Sequence, residues 1–136
     1  RGKGLFTKVE FIPSKELPDD EYPFILTTGR MLTHYHTGTM TRRSAGPNEQ
    51  VKEGYVEISP EDANRLNIKN GEKVRVASRR GQIDIKAKVT DMVSQGIVFI
   101  PFHFKEAAAN VLTSRELDPV AKIPELKSCA VRVEKK

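Results

Sequence analysis

Phe24-Ile25-Leu26-Thr27-Thr28-Gly29-Arg30-Met31-Leu32-Thr33-His34-Tyr35-His36-Thr37-Gly38-Thr39-Met40-Thr41-Arg42-Arg43-Ser44 starts apolar and turns abruptly polar. The opening residues, 23–28, are apolar on both faces of an extended chain, which predicts a central, buried strand. Residues 27–44, which begin at the end of that strand, gather three arginines, six threonines, Tyr35 and two of the chain's three histidines within eighteen positions. A connection that only reverses the chain needs turn formers. This many donors beside this many cations suits a ligand with phosphate groups and many heteroatoms, such as a nucleotide-like or pterin-like cofactor. Gly29 and Gly38 let backbone N–H groups approach phosphate oxygens closely, and arginine supplies forked donors for them.

The polar connection runs from about residue 29 to residue 52, because Ala45-Gly46-Pro47-Asn48-Glu49-Gln50 adds turn formers. A loop of that length in a compact domain is usually functional or disordered, and its composition favours function. Its arginines repel one another, so it is expected to be mobile without an anionic partner.

Outward from this loop the pattern is mostly β. Residues 54–58 alternate as a strand. Ser59-Pro60-Glu61-Asp62 then supplies an N-cap, a first-turn proline and first-turn acids, which predicts a helix to about Leu66. Asn70-Gly71 turns the chain. Residues 73–78 and 82–89 form a hairpin whose Val74, Val76, Ile83, Ile85, Ala87 and Val89 share one buried face. Residues 97–101 make an uninterrupted apolar strand ending at Phe102-His103-Phe104. Residues 105–112 read as a short helix, and residues 127–133 as the last strand. Five or six strands with short helices outside them fit a small closed β-barrel.

At 136 residues the chain is one domain, with residues 1–22 as an extended polar linker and residues 23–136 as the barrel. The start, Arg1-Gly2-Lys3-Gly4, lacks a methionine and is expected to be a cut within a longer polypeptide. The longest apolar runs fall far short of the roughly 20 residues a membrane helix needs, and no signal peptide is visible, so a cytoplasmic location is expected. The net charge of +5 suits an anionic partner, but its cations are spread out rather than blocked. A nucleic-acid-binding barrel would interleave aromatics with cations on an exposed strand face, and the hairpin has no such aromatics. The single cysteine, Cys129, lies in a strand-like run and reads as a buried small hydrophobe. One cysteine also rules out an internal disulfide or a cysteine-rich cluster within these residues.

Three blocks carry a resemblance to a known family. The first is Thr28-Gly29-Arg30 with His34-Tyr35-His36-Thr37-Gly38-Thr39-Met40-Thr41-Arg42. The second is Pro101-Phe102-His103-Phe104 with Ala107-Ala108-Ala109-Asn110-Val111-Leu112-Thr113. The third is Leu117-Asp118-Pro119-Val120-Ala121-Lys122-Ile123-Pro124-Glu125-Leu126-Lys127 with Cys129-Ala130-Val131-Arg132-Val133. In this order, across Tyr22 to Glu134, the chain resembles the C-terminal molybdopterin-dinucleotide-binding domain of molybdenum- or tungsten-dependent oxidoreductases. The formate dehydrogenase catalytic (alpha) subunit is the nearest likeness. A periplasmic-type nitrate reductase would carry a similar His-x-His-Thr-Gly loop, and the 122–133 segment favours formate. The resemblance implies a six-stranded double-psi β-barrel with short crossover helices. It implies closure over a bis(molybdopterin guanine dinucleotide) held mainly by upstream domains of the same polypeptide, with Fe–S electron-transfer subunits as further partners. The metal ligand, the cluster cysteines and the catalytic histidine lie upstream in that family, so no catalytic residue is assigned here and the isolated domain is expected to be inactive.

Within that frame Thr28, Gly29, Arg30, His34, His36, Thr37, Gly38, Thr39, Thr41, Arg42, Phe102, His103, Asn110 and Lys127 are the candidate cofactor contacts. Arg30 would meet a phosphate or a pterin carbonyl, and the threonines with Gly38 would line a pyrophosphate cradle. His34 and His36 at i, i+2 would share a strand face and could bind a metal. Only His103 could join them and no cysteine is near, so imidazole donation to the ligand is preferred and no metal site is assigned. His103 would bond the pterin while Phe102 or Phe104 packs beside a ring. Asn110 suits a pterin edge, Lys127 a phosphate, and Arg43 is left open.

Overall fold

The computed structural model describes residues 2–136. Six strands form one closed barrel: β1 (Phe24–Gly29), β2 (Tyr55–Ile58), β3 (Lys73–Ala77), β4 (Gln82–Val89), β5 (Ile97–Pro101) and β6 (Cys129–Lys135), in the spatial order β1-β5-β2-β4-β3-β6. Closure leaves no free edge. Phe24, Leu26, Val56, Ile58, Val74, Val76, Val98, Ile100 and Val131, each at most 1% exposed, form its core. The hairpin pairs Val74 with Ile85 and Val76 with Ile83, as the alternation predicts, while Val89 is only half-buried.

The topology decides where the polar connection goes. β1 and β5 are parallel, so they end at the same pole of the barrel. β2 runs antiparallel to β5 and therefore begins at that pole. Because β5 lies between β1 and β2, the β1–β2 connection must cross the end of β5, where Phe102-His103-Phe104 emerges. The β2/β4 pair is also parallel, which gives the second crossover of the double-psi barrel.

Two connections differ from the sequence expectation. The 29–52 stretch is not featureless: Thr41–Arg43 form a 3₁₀ turn and Ala45–Gln50 a short helix, α1. The expected helix over 105–112 is instead two 3₁₀ turns, Lys105–Ala107 and Ala109–Val111. Three consecutive alanines raised the helix propensity. The packing of Gly81 against Val111, where an added Cβ would lie 2.6 Å from Val111 Cγ1, accompanies the tighter winding.

Residues 3–13 carry no helix or strand and stay exposed, but the end of the linker is strapped to this barrel. The Glu16 carboxylate receives the Arg80 guanidinium and the Ala130 N–H, the latter at 2.7 Å, and the Arg80 and Ala130 bonds hold its pKa low against the opposing effect of burial. Tyr22 lies against the guanidinium groups of Arg79 and Arg132, 4.5 and 5.3 Å from its ring centre. Cys129 is buried, and that burial pushes its thiol up to about 11.

Helix α2 (Pro60–Arg65) is capped as its sequence requires, with the Ser59 hydroxyl accepting from Asp62 N–H at 3.1 Å. The sequence did not reveal the second task of Asp62. Its fully buried carboxylate accepts from Ser59 Oγ at 3.0 Å, Arg65 at 2.8 Å and the Gly96 N–H, just before β5, at 2.7 Å. Asp62→Ala strands the Gly96 donor and frees the cap. An unfolding free energy lower by about 2–3 kcal/mol is expected in urea titration; a loss within error of zero would mean that water replaces the carboxylate without cost.

Candidate functional site

The strand ends sort the candidate residues. β1 delivers Thr28, Gly29 and Arg30 to one pole, and β5 delivers Phe102 and His103 to the same pole. The turn bearing Asn110 packs at the β3–β4 hairpin end through Val111 and Gly81, and Lys127 leads into β6 there. One end of the barrel therefore carries all fourteen, but they divide into groups with different surroundings.

The first group is an open cleft of about 500 Å³ lined by Thr37, Gly38, Thr39, Arg42, Arg43, Lys105 and Glu106. Thr37 and Thr39 hydroxyls lie 3.1 Å apart. Gly38 has φ +73 and receives the Arg42 backbone N–H on its carbonyl at 3.0 Å, so the cradle is wound around a left-handed glycine. Arg42 gives one guanidinium N–H to Glu106 at 2.7 Å and stacks 5.1 Å from the centre of the Phe104 ring. The bond from Arg42 holds the Glu106 carboxyl below its ordinary range. The Arg42 Nε is shielded and has no partner. Arg42 and Glu106 also border a neighbouring cleft of about 460 Å³ with Lys52, Lys73, Lys86, Glu53 and Asp84.

Arg30 and His36 form the second group. The Arg30 guanidinium lies 3.5 Å from His36 Nδ1 and 5.8 Å from the Tyr35 ring centre, and all three side chains are exposed. His36 does not share a strand face with His34. It sits in a turn at φ 45, so the i, i+2 geometry considered for a metal is absent.

Most of the remaining candidates are held by the protein itself. His34 is buried, its Nε2–H donating to the Val51 carbonyl at 2.8 Å while Nδ1 lies 3.0 Å from Thr41 Oγ1. Thr41 Oγ1 also accepts the Tyr35 N–H at 3.3 Å. The His103 ring, 1% exposed, meets Met31 N–H and the His36 carbonyl, so neither ring nitrogen is open to a ligand in this arrangement. Thr28 donates its hydroxyl to the Leu126 carbonyl at 2.7 Å, and Lys127 donates to the Thr28 carbonyl. Gly29 is explained by Phe99, whose ring would lie 2.7 Å from an added Cβ. Phe102 is half-buried beside His103, and Asn110 is exposed.

This barrel, with its polar crossover, matches a family model. Residues 24–130 fit the molydopterin dinucleotide binding domain. The chain belongs to that family.

Among relatives of this dinucleotide-binding domain, the F420-dependent formate dehydrogenase subunit alpha of Methanocaldococcus jannaschii is 54% identical over 134 residues. The F420-dependent formate dehydrogenase 1 subunit alpha of Methanococcus maripaludis is 52% identical over 134 residues. Each match takes in 98% of this chain but only 20% of the relative, so the chain spans about one fifth of those proteins. Acetylene hydratase from Pelobacter acetylenicus shares the fold, with a TM-score of 0.77 at 18% identity over 92% of this chain and 21% of that one. Among the described residues no helix is long and apolar enough to cross a membrane.

Sequence reasoning missed Lys105 and Glu106 in the dinucleotide-binding domain's cleft. They stand more than sixty residues from Arg42, and only the crossing over β5 brings them together. Arg43, left open from the sequence, lines the same cleft.

Proposed function

We propose that this chain closes over the bis(molybdopterin guanine dinucleotide) of a molybdenum or tungsten formate dehydrogenase alpha subunit, in an enzyme that oxidises formate to carbon dioxide. The observation that carries the proposal is Arg42. Its Nε donor lacks a partner beside a cleft that sets three cations, Arg42, Arg43 and Lys105, against one acid, Glu106. That imbalance and the glycine-wound threonine turn fit a phosphate diester, and the adjoining cleft suits a ligand longer than one phosphate.

In this reading Arg42, Arg43, Lys105, Thr37, Gly38 and Thr39 hold the pyrophosphate. Arg30 and His36 offer donors at a second edge, with Phe102, Asn110 and Lys127 around the same pole. Thr28, Gly29, His34, Thr41 and His103 shape the walls. The metal–dithiolene centre, when bound, supplies the two-electron chemistry. This chain's residues bind, orient and exclude water. The 52–54% identity to formate dehydrogenase alpha subunits supports formate over nitrate, and the F420 dependence of those relatives supports F420 as the eventual electron carrier. Upstream domains of the same polypeptide, Fe–S subunits and a cytoplasmic setting complete the proposal.

Diguanosine 5′,5′-diphosphate, titrated calorimetrically, tests it. Arg42→Gln is expected to weaken binding by about 10- to 100-fold, since a hydrogen bond to a charged group contributes roughly 1.5–3 kcal/mol. Equal affinity in the variant, or preference for single-stranded DNA with a steep salt dependence, would overturn the assignment.

A further inference from the structure

We propose that His103 is the positioning residue that sets the ligand-gripping turn, and that it does so only as a neutral imidazole, so that acidification loosens the grip. The inference rests on the reading of the Arg42 cleft as a phosphate-ligand site. Three contacts from one residue fix the crossover. His103 Nε2 accepts the Met31 N–H at 3.0 Å, which requires that nitrogen to be unprotonated. Nδ1–H donates to the His36 carbonyl, supporting a residue held at φ 45. The His103 backbone carbonyl lies 2.9 Å from where a Cβ at Gly38 would stand, so it seats the glycine of the cradle. Met31, His36 and Gly38 thus take their positions from the end of β5.

A second proton on this ring would turn Nε2 into a donor facing the Met31 donor. The contact becomes repulsive and the crossover must lift. The groups facing the imidazole are His34, with ring centres 5.8 Å apart, His36 and Arg30, with Arg42 beyond Phe104; Glu106 is engaged by Arg42. Burial chiefly lowers the His103 pKa, with smaller contributions from the neighbouring His34, Arg30 and His36 side chains, while its bond to the His36 carbonyl opposes them. The latch therefore holds above the ordinary histidine range and is lost as pH falls through the lowered value. This sign separates a latch from simple attraction. A cleft that only attracts anions does not lose affinity on acidification.

Two measurements test it. Without ligand, ¹⁵N spectra of the chain should show His103 as the Nδ1–H tautomer near neutral pH. Hydrogen-exchange protection of the Met31 amide should collapse as that ring titrates. With diguanosine 5′,5′-diphosphate, whose phosphates do not ionise between about pH 5 and 8, the affinity of the native chain should fall at least about fivefold across that range. His103→Gln keeps a carbonyl acceptor for Met31 and cannot titrate, so its affinity should change less than about twofold. Unchanged Met31 protection through the titration, or superimposable pH profiles for the two proteins, overturns the latch. If neither protein binds the dinucleotide at any pH, the phosphate-site reading falls, and the ligand-free Met31 measurement still decides the role of His103.

Discussion

Phe104→Ala is expected to lower the unfolding free energy by about 3–5 kcal/mol and to abolish dinucleotide binding. Phe104 is 1% exposed, yet its packing is directed at the crossover. Its ring meets His34 edge-on at 5.3 Å and His103 at 6.2 Å, and it carries the Arg42 guanidinium at 5.1 Å. On another side it fills the space left by Gly54, where a Cβ would lie 3.2 Å from the ring. Truncation leaves a cavity bordered by two imidazoles and an arginine, groups that cannot close around it as aliphatic chains can. Phe104→Leu retains most of the volume and should cost about 1.5 kcal/mol or less. It still loses the aromatic face under Arg42, so binding should weaken more than stability. Urea unfolding beside calorimetric titration separates the two effects. Intact binding by a Phe104→Ala protein would show that the crossover holds its shape without that ring.

The barrel was legible because its strands announce themselves by alternation and burial: the Val74/Val76 face opposite Ile83/Ile85 could be read before any pairing was seen. So was the polarity of the crossover, because no core needs Arg30, His36, Arg42 and four threonines in one connection. Which of them stay open and which are bonded within the chain was not legible. His34 and His103 look like donors in the sequence, but burial makes each find partners in the chain, and the nearest are the crossover's own main-chain groups. In this structure both rings bond within the crossover rather than standing open. Lys105, Glu106 and the bridge from Asp62 to Gly96 are long-range pairings, and nothing in local periodicity encodes them. The Ala107-Ala108-Ala109 run shows the opposite failure, a strong local helix preference that the fold does not follow, since two 3₁₀ turns stand there.

Gly38→Ala should be the most damaging single-methyl change at the site, and two other glycines make its origin measurable. At φ +73 an alanine pays backbone strain of about 1–2 kcal/mol wherever it stands. Gly71, at φ +80, would carry the same strain, but its Cβ would meet nothing within 4 Å. Gly71→Ala therefore reports strain alone. At Gly38 the added carbon would also lie 2.8 and 2.9 Å from Arg42 Cδ and Cγ and 2.9 Å from the His103 carbonyl oxygen. Arg42 can swing away only by leaving the cleft and Glu106. The carbonyl, being backbone at the end of β5, can yield only if the crossover rises from its seat. Gly46→Ala, in helix α1 with open space around it, should be neutral or slightly stabilising. The excess loss of stability in Gly38→Ala over Gly71→Ala measures the contact between the cradle and the Phe-His-Phe corner. Dinucleotide affinity should drop by more than about 30-fold in Gly38→Ala while remaining unchanged in the other two, because only the first displaces a cation of the proposed phosphate cleft. Equal losses of stability at Gly38 and Gly71, with binding retained, would mean that the cradle stands free of the β5 end.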